Sequence, residues 1–181
     1  MYKLDKQKTL ANLQNVIGNQ PGQPNMNKID NIDKLLNADD KNDSIIKLDN
    51  YICELCAWGE NIDGLSDPQR TFYFNQNLER EINNGGFNQY FVNSSGQFAH
   101  ETLLSLKAIG ANKTADILQS AIDQFPDKNV PKDSDTRQEC VEQIEDTANE
   151  IWDELDQKFY EYQDDLESFN LDFVKKYKDD F

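Results

Sequence analysis

Along this chain apolar residues recur at steps of three and four, and the recurrence stops where glycine or proline appears, which restricts the fold to packed α-helices. From a cap at Asp43 or Ser44, the run Ile45, Leu48, Ile52, Leu55 ends at Gly59. Ser66-Asp67-Pro68 sets a capping hydroxyl before a proline suited to a first turn; Phe74, Leu78 and Ile82 follow, up to Asn83-Asn84-Gly85-Gly86. Residues 98–109 (Leu103, Leu106, Ile109) stop at Gly110, and 113–125 (Ile117, Leu118, Ala121, Ile122, Phe125) stop at Pro126, which predicts a tight two-helix hairpin. No segment alternates with β-branched enrichment, and Thr71 to Phe74 sits inside a better helical pattern. The expectation is an all-α, compact domain of roughly six to eight helices, with a long acidic helix in its C-terminal third.

Residues 1–17 read as a weak helix followed by the turn-rich GNQPGQPN, so residues 1–42 are expected to form an arm and 43–181 a single domain. With 37% hydrophobic residues the chain can bury a core. No run has the ~18 apolar residues of a membrane span, and the charged opening MYKLDKQKTL is unlike a signal peptide, so a cytoplasmic protein is expected. Three cysteines make no disulfide framework.

Charge narrows the function. Thirty-four acids against 18 bases give −16, which disfavours direct contact with nucleic acid or an anionic membrane and favours a cationic partner. Residues 1–43 are neutral, with six acids and six bases, whereas 133–167 hold 14 acids against Arg137 and Lys158, a net −12. Within that segment Val141, Ile144, Ala148, Ile151, Leu155, Phe159 and Tyr162 trace an apolar seam. At 100° per residue the opposite side carries Glu139, Glu142, Asp146, Glu150, Asp153, Glu161 and Asp164. Like charges meet at three- or four-residue steps five times, at ~0.2–0.5 kcal/mol each, so the stripe is not arranged for helix stability. If wholly helical, the segment spans ~52 Å with one net charge per ~4.4 Å, against one per ~3.4 Å along a DNA strand, which makes DNA mimicry a physical option.

Residues 84–96, NGGFNQYFVNSSG, are dense in glycine and amides. The segment predicts one short capped helix with an aromatic face of Phe87, Tyr90 and Phe91. Gly85 and Gly86 end the preceding helix, while Asn93, Ser94 and Ser95 accept from orphan N–H groups of the next. Asn84, Gln89 and Gly96 complete this motif, read as structural. No strand precedes it and no GK[ST] follows, so it is not a phosphate loop.

The run INNGGFNQYFVNSSG at 82–96, with LKAIGANKTADILQSAIDQF at 106–125, resembles the bacterial domain-of-unknown-function family typified by the acidic DNA mimic protein nineteen. The resemblance extends loosely over 44–181. It implies an all-helical domain and, for the characterised type, a dimer that occupies the DNA-binding surface of a transcription regulator. The mimicking acids carry over only as a pattern.

Other constellations are weaker. Cys53 and Cys56 form a C-x-x-C that could join Cys140 and His100, the sole histidine, in a zinc site, but core packing explains them better. His100 lacks a nucleophile elbow, so triad hydrolysis is unsupported. Glu79 and Glu81, beside the glycine segment, are the acids whose burial matters. Tyr160, Tyr162, Phe169, Phe173, Val174, Tyr177 and Phe181 fit a docking helix or a dimer contact better than a base-stacking platform. The reading is a non-enzymatic binding protein without metal or cofactor that meets a basic protein, such as a DNA-binding regulator, through the acidic stripe; monomer and homodimer stay open. Alternatives are an acidic immunity-type inhibitor of a cationic nuclease toxin, or a small-ligand protein or enzyme with a pocket near Asn84 to Gln89.

Overall fold

The structure is a computed structural model that describes Ile29 and residues 31–181. The weak helix expected over 1–17 lies outside the described residues. Among these there are seven α-helices and no strand: α1 (Ile32–Leu36), α2 (Lys41–Leu55), α3 (Asp67–Val92), α4 (Ala99–Ile109), α5 (Asn112–Ile122), α6 (Ser134–Tyr160) and α7 (Leu166–Lys176), with short 3-10 turns between α2 and α3, α3 and α4, and α5 and α6, and after α7. The class is all-α.

Sequence accounts for most boundaries. Ser66 caps α3 in a reciprocal box with Gln69, their side-chain bonds being 3.3 and 3.0 Å, and Pro68 sits in the first turn where a missing N–H is harmless. Gly110 ends α4 at φ +89, a left-handed turn into α5. The α2 start differs from expectation. Asp40 is its cap, accepting from the Asp43 N–H at 3.0 Å, and Ser44 is buried inside the helix, donating to the carbonyls of Leu35 and Asp40. Leu36 is buried, so the chain enters the core from α1 onward.

Two apolar clusters meet along α3. Its N-terminal half gives Phe72, Tyr73 and Phe74 to a cluster with α1, α2 and α7; its C-terminal half gives Leu78, Ile82, Phe87, Tyr90 and Phe91 to one with α4, α5 and α6. Of the C-terminal apolar residues, Val174, Tyr177 and Phe181 serve the first cluster, Phe181 being buried with its ring 6.2 Å from Phe72, whereas Phe169 packs against the second and Tyr160 and Tyr162 are exposed.

α3 packs most extensively against α6, and the α6 seam corrects the sequence reading. Trp152, not Ile151, is the buried residue; its indole N–H donates to the Ala121 carbonyl at 3.1 Å and its ring lies 5.2 Å from Phe91. Ile151 and Tyr162 are exposed, because the buried line steps 148, 152, 155, 159 and the helix ends at Tyr160.

α3 is broken at Gly85 (φ −168, ψ 22) and Gly86 (φ +73, ψ −172). The break leaves backbone groups open, and α6 fills them from one turn of its own length. Asp156 accepts the Phe87 N–H at 2.9 Å, while the Tyr160 hydroxyl donates to the Ile82 carbonyl at 2.8 Å. A Cβ at Gly86 would stand 2.1 Å from the Asp156 carboxylate, so the close approach and the positive φ both require glycine.

Candidate protein-binding surface

Helix α6 starts at the Asp133 cap, whose carboxylate accepts the N–H and hydroxyl of Thr136 and is held below its usual pKa by those bonds. It carries nine acids against Arg137 and Lys158. Glu139, Glu142, Asp146, Glu150 and Asp153 are exposed along its outer side, and Glu161 is exposed at its C-cap. Asp164 does not belong with them. It lies beyond the helix, 8% exposed, accepting the Thr114 N–H at 2.8 Å and the Thr114 hydroxyl at 3.1 Å. There it caps α5, whose own N-cap is Ala111 and supplies no side-chain acceptor.

The rod is therefore shorter than 133–167. Net −7 over 27 residues is one charge per ~6 Å of a ~40 Å helix, a sparser row than the sequence spacing gave. It is nevertheless uncompensated within the described residues. Six ion pairs occur there: Lys47–Asp43, Arg70–Asp67, Arg80–Asp49, Lys128–Asp123, Lys132–Glu101 and Lys178–Asp33; none takes an acid from α6. Arg137 is 1% exposed and turned inward, donating to the carbonyls of Phe91, Asn93, Pro131 and Lys132 at 2.7–3.1 Å. Its guanidinium closes the open end of α3, and no carboxylate of the stripe bonds to it.

Toward the C-terminal end of α6, Glu150, Asp153, Glu154, Asp156, Gln157 and Tyr160 line an open groove. Four acids line this groove, and Asp156 is the one next to the last turn of the helix, where the dipole favours cations instead. Burial pushes the Asp156 carboxyl up, the Phe87 N–H opposing and Asp153 adding. Burial likewise raises Glu79, against a hydrogen bond from Tyr162.

The glycine-amide motif is a structural brace, by a route that its sequence does not reveal. Glu81 accepts from Gln89 (2.7 Å), Asn93 (2.8 Å) and Ser95 (3.2 Å), and Asn84 donates to Gln89 at 3.2 Å. Asn93 and Ser95 thus donate to a carboxylate, and Asn93 makes no side-chain cap to the following turn, where sequence suggested acceptors. Phe87, Tyr90 and Phe91 are fully buried, and a Cβ at Gly96 would lie 2.6 Å from the Phe91 carbonyl. The cavity beside this segment, about 230 Å³, is walled by its later residues Tyr90, Ser94 and Ser95 and by Gln97 just beyond it rather than by Asn84 to Gln89.

Cys53 and Cys56 are buried, with burial raising both thiols and Cys53 to about 11; that favours the neutral thiol. His100 Nε2 accepts the Val130 N–H at 3.3 Å, holding a loop. No group of three or more metal-binding side chains occurs among the described residues, and none of their helices is long and apolar enough to cross a membrane.

Neither a curated protein nor a solved structure matches the chain. Residues 63–177, from the turn before α3 to the end of α7, match the family described as DMP19-like protein, and the chain belongs to that family.

Proposed function

We propose that this chain is a non-catalytic acidic binding protein that occupies the basic, DNA-contacting surface of another protein in competition with DNA. The exposed carboxylates Glu139, Glu142, Asp146, Glu150, Asp153 and Glu161 form the contact. The observation that carries this reading is the absence of any α6 acid from the six ion pairs of the described residues. An unpaired row of anions keeps its field for a partner. It steers a cationic surface toward it and weakens as salt screens beyond about 8–10 Å. Membership of the DMP19-like family is consistent with this role.

The test is a capture experiment. Immobilised protein, exposed to extract of its own cells, should retain DNA-binding proteins that elute at moderate salt, with affinity falling at least about tenfold between low and physiological ionic strength. Duplex DNA should displace them. The triple reversal Glu142→Lys, Asp146→Lys, Asp153→Lys should abolish capture while circular dichroism stays helical. Undiminished capture by that variant removes the stripe from the mechanism.

A further inference from the structure

The cavity near the end of the glycine-amide motif has features that the acidic stripe does not explain. Tyr73, Phe74, Tyr90 and Phe98 form much of its wall, and Trp58 and Glu60 belong to its lining. The wall is built firmly. Phe74 and Phe98 pack with centroids 4.9 Å apart, and the Tyr90 hydroxyl donates to Thr102 at 3.0 Å, which in turn donates to the Phe98 carbonyl at 2.8 Å. Trp58 is different. It is 69% exposed, the most exposed of the large apolar side chains among the described residues. It is held there by three successive left-handed residues, Ala57 (φ 49), Trp58 (φ 57) and Gly59 (φ 98). Such backbone is unfavourable for alanine and tryptophan and persists only where the surroundings impose it. The turn is closed by the Gly59 and Asn61 N–H groups, which both donate to the Cys56 carbonyl at 3.1 and 2.9 Å, and it lies against the cavity wall, where a Cβ at Gly59 would stand 2.8 Å from the Tyr73 hydroxyl.

The chemistry of the lining selects the ligand. None of the twelve residues around the cavity is basic, and Glu60 is the one acid, so an anion has no counter-charge here. A bare metal ion would want several oxygen or nitrogen ligands, and no cluster of that kind exists among the described residues. Aromatic faces with a single carboxylate suit a cation that carries its charge beneath methyl groups, which keeps desolvation small while the rings attract the charge. About 230 Å³ admits a headgroup and excludes a cofactor.

We propose that this cavity is a cage for a quaternary ammonium group, with Trp58 closing over a wall of Tyr73, Phe74 and Phe98, which the fully buried Tyr90 backs, and Glu60 supplying the counter-charge. No lining residue belongs to α6, so the cage and the acidic stripe stand or fall separately.

Calorimetric titration of the full chain with choline chloride, at ionic strength held constant with sodium chloride, tests it. Choline should bind saturably, and its neutral isostere 3,3-dimethyl-1-butanol at least about tenfold more weakly. Trp58→Ala and Glu60→Gln, both at exposed positions, should each weaken choline at least about fivefold without altering the helical spectrum. Glu142→Lys should leave it unchanged. A parallel titration with Nε-trimethyl-lysine amide identifies the source of the group: tighter binding than choline points to a protein side chain, weaker binding to a free small molecule, and either sustains the cage. Absence of saturation by both cations, equal binding of the isostere, or wild-type affinity in both variants would overturn it.

Discussion

The Asp156 carboxylate accepts the backbone N–H of Phe87 at 2.9 Å, joining residues 69 apart in sequence and restarting a helix that two glycines have interrupted. Asp156→Ala leaves that N–H without its partner in a half-buried site and should cost about 1–2 kcal/mol in urea unfolding. Asp156→Asn keeps an acceptor and should cost less. The comparison of these two variants isolates the cap from the charge.

The same carboxyl has a pH signature. Burial is the largest influence on it and lifts its folded pKa above the ordinary 3.8. A carboxyl raised on folding contributes fully below its unfolded pKa and loses that contribution as pH rises through the folded one, because ionisation is easier in the unfolded chain. The stability advantage of wild type over Asp156→Asn should therefore be larger at about pH 4 than at about pH 7, as read by urea unfolding at both. An advantage that grows with pH would mean that the Phe87 N–H outweighs desolvation.

Gly86 and Gly110 share a positive φ, +73 and +89, but not a neighbourhood. A Cβ at Gly110 meets nothing within 4 Å, whereas at Gly86 it meets Asp156 at 2.1 Å. Gly110→Ala should cost about 1–2 kcal/mol from backbone alone. Gly86→Ala should exceed it clearly, by about 2 kcal/mol more, since Asp156 must withdraw and its cap is lost. Thermal unfolding of the pair separates conformational strain from steric exclusion.

Local signals were legible where their physics is local. The Ser66 cap before Pro68, the Gly110 stop and the interruption at Gly85-Gly86 need only a few neighbouring residues, and all three were readable in the chain, whereas the reciprocal bond from Gln69 was not anticipated. Asp164 was not, because its carboxylate caps a helix 50 residues away and periodicity continues the acidic row through it. Trp152 was missed for a subtler reason: residues 151 and 152 are both apolar, and choosing between them requires knowing whether the seam steps by three or four at that turn. Glu81, the acceptor that gathers Gln89, Asn93 and Ser95, gave only a proximity hint, since amides announce hydrogen bonding but not its partner.

Arg137 lies in the most acidic part of the sequence, yet its hydrogen bonds go to four backbone carbonyls around the end of α3. Burial lowers its pKa. Arg137→Met fills the space and leaves those carbonyls unpaired, at a cost of about 3 kcal/mol. Arg137→Lys should rescue little, since one ammonium cannot reproduce the fork of the guanidinium. Any loss of the proposed capture in Arg137→Met should track the loss of folded protein and disappear in conditions where the variant is folded.

Neutralising the stripe should stabilise the fold while it weakens capture. Between Glu139 and Asp153 the exposed acids Glu139, Glu142, Asp146, Glu150 and Asp153 meet at four like-charge steps. The combined Glu142→Gln, Asp146→Asn, Glu150→Gln variant removes all four and should gain about 1–2 kcal/mol at low salt. Because salt screens the same repulsion, the wild type should gain stability as sodium chloride is added, and the variant less, so that the two converge toward 1 M. A triple variant no more stable than wild type at low ionic strength would mean that the carboxylates already have cationic partners. A row so neutralised would have little field left with which to attract another protein.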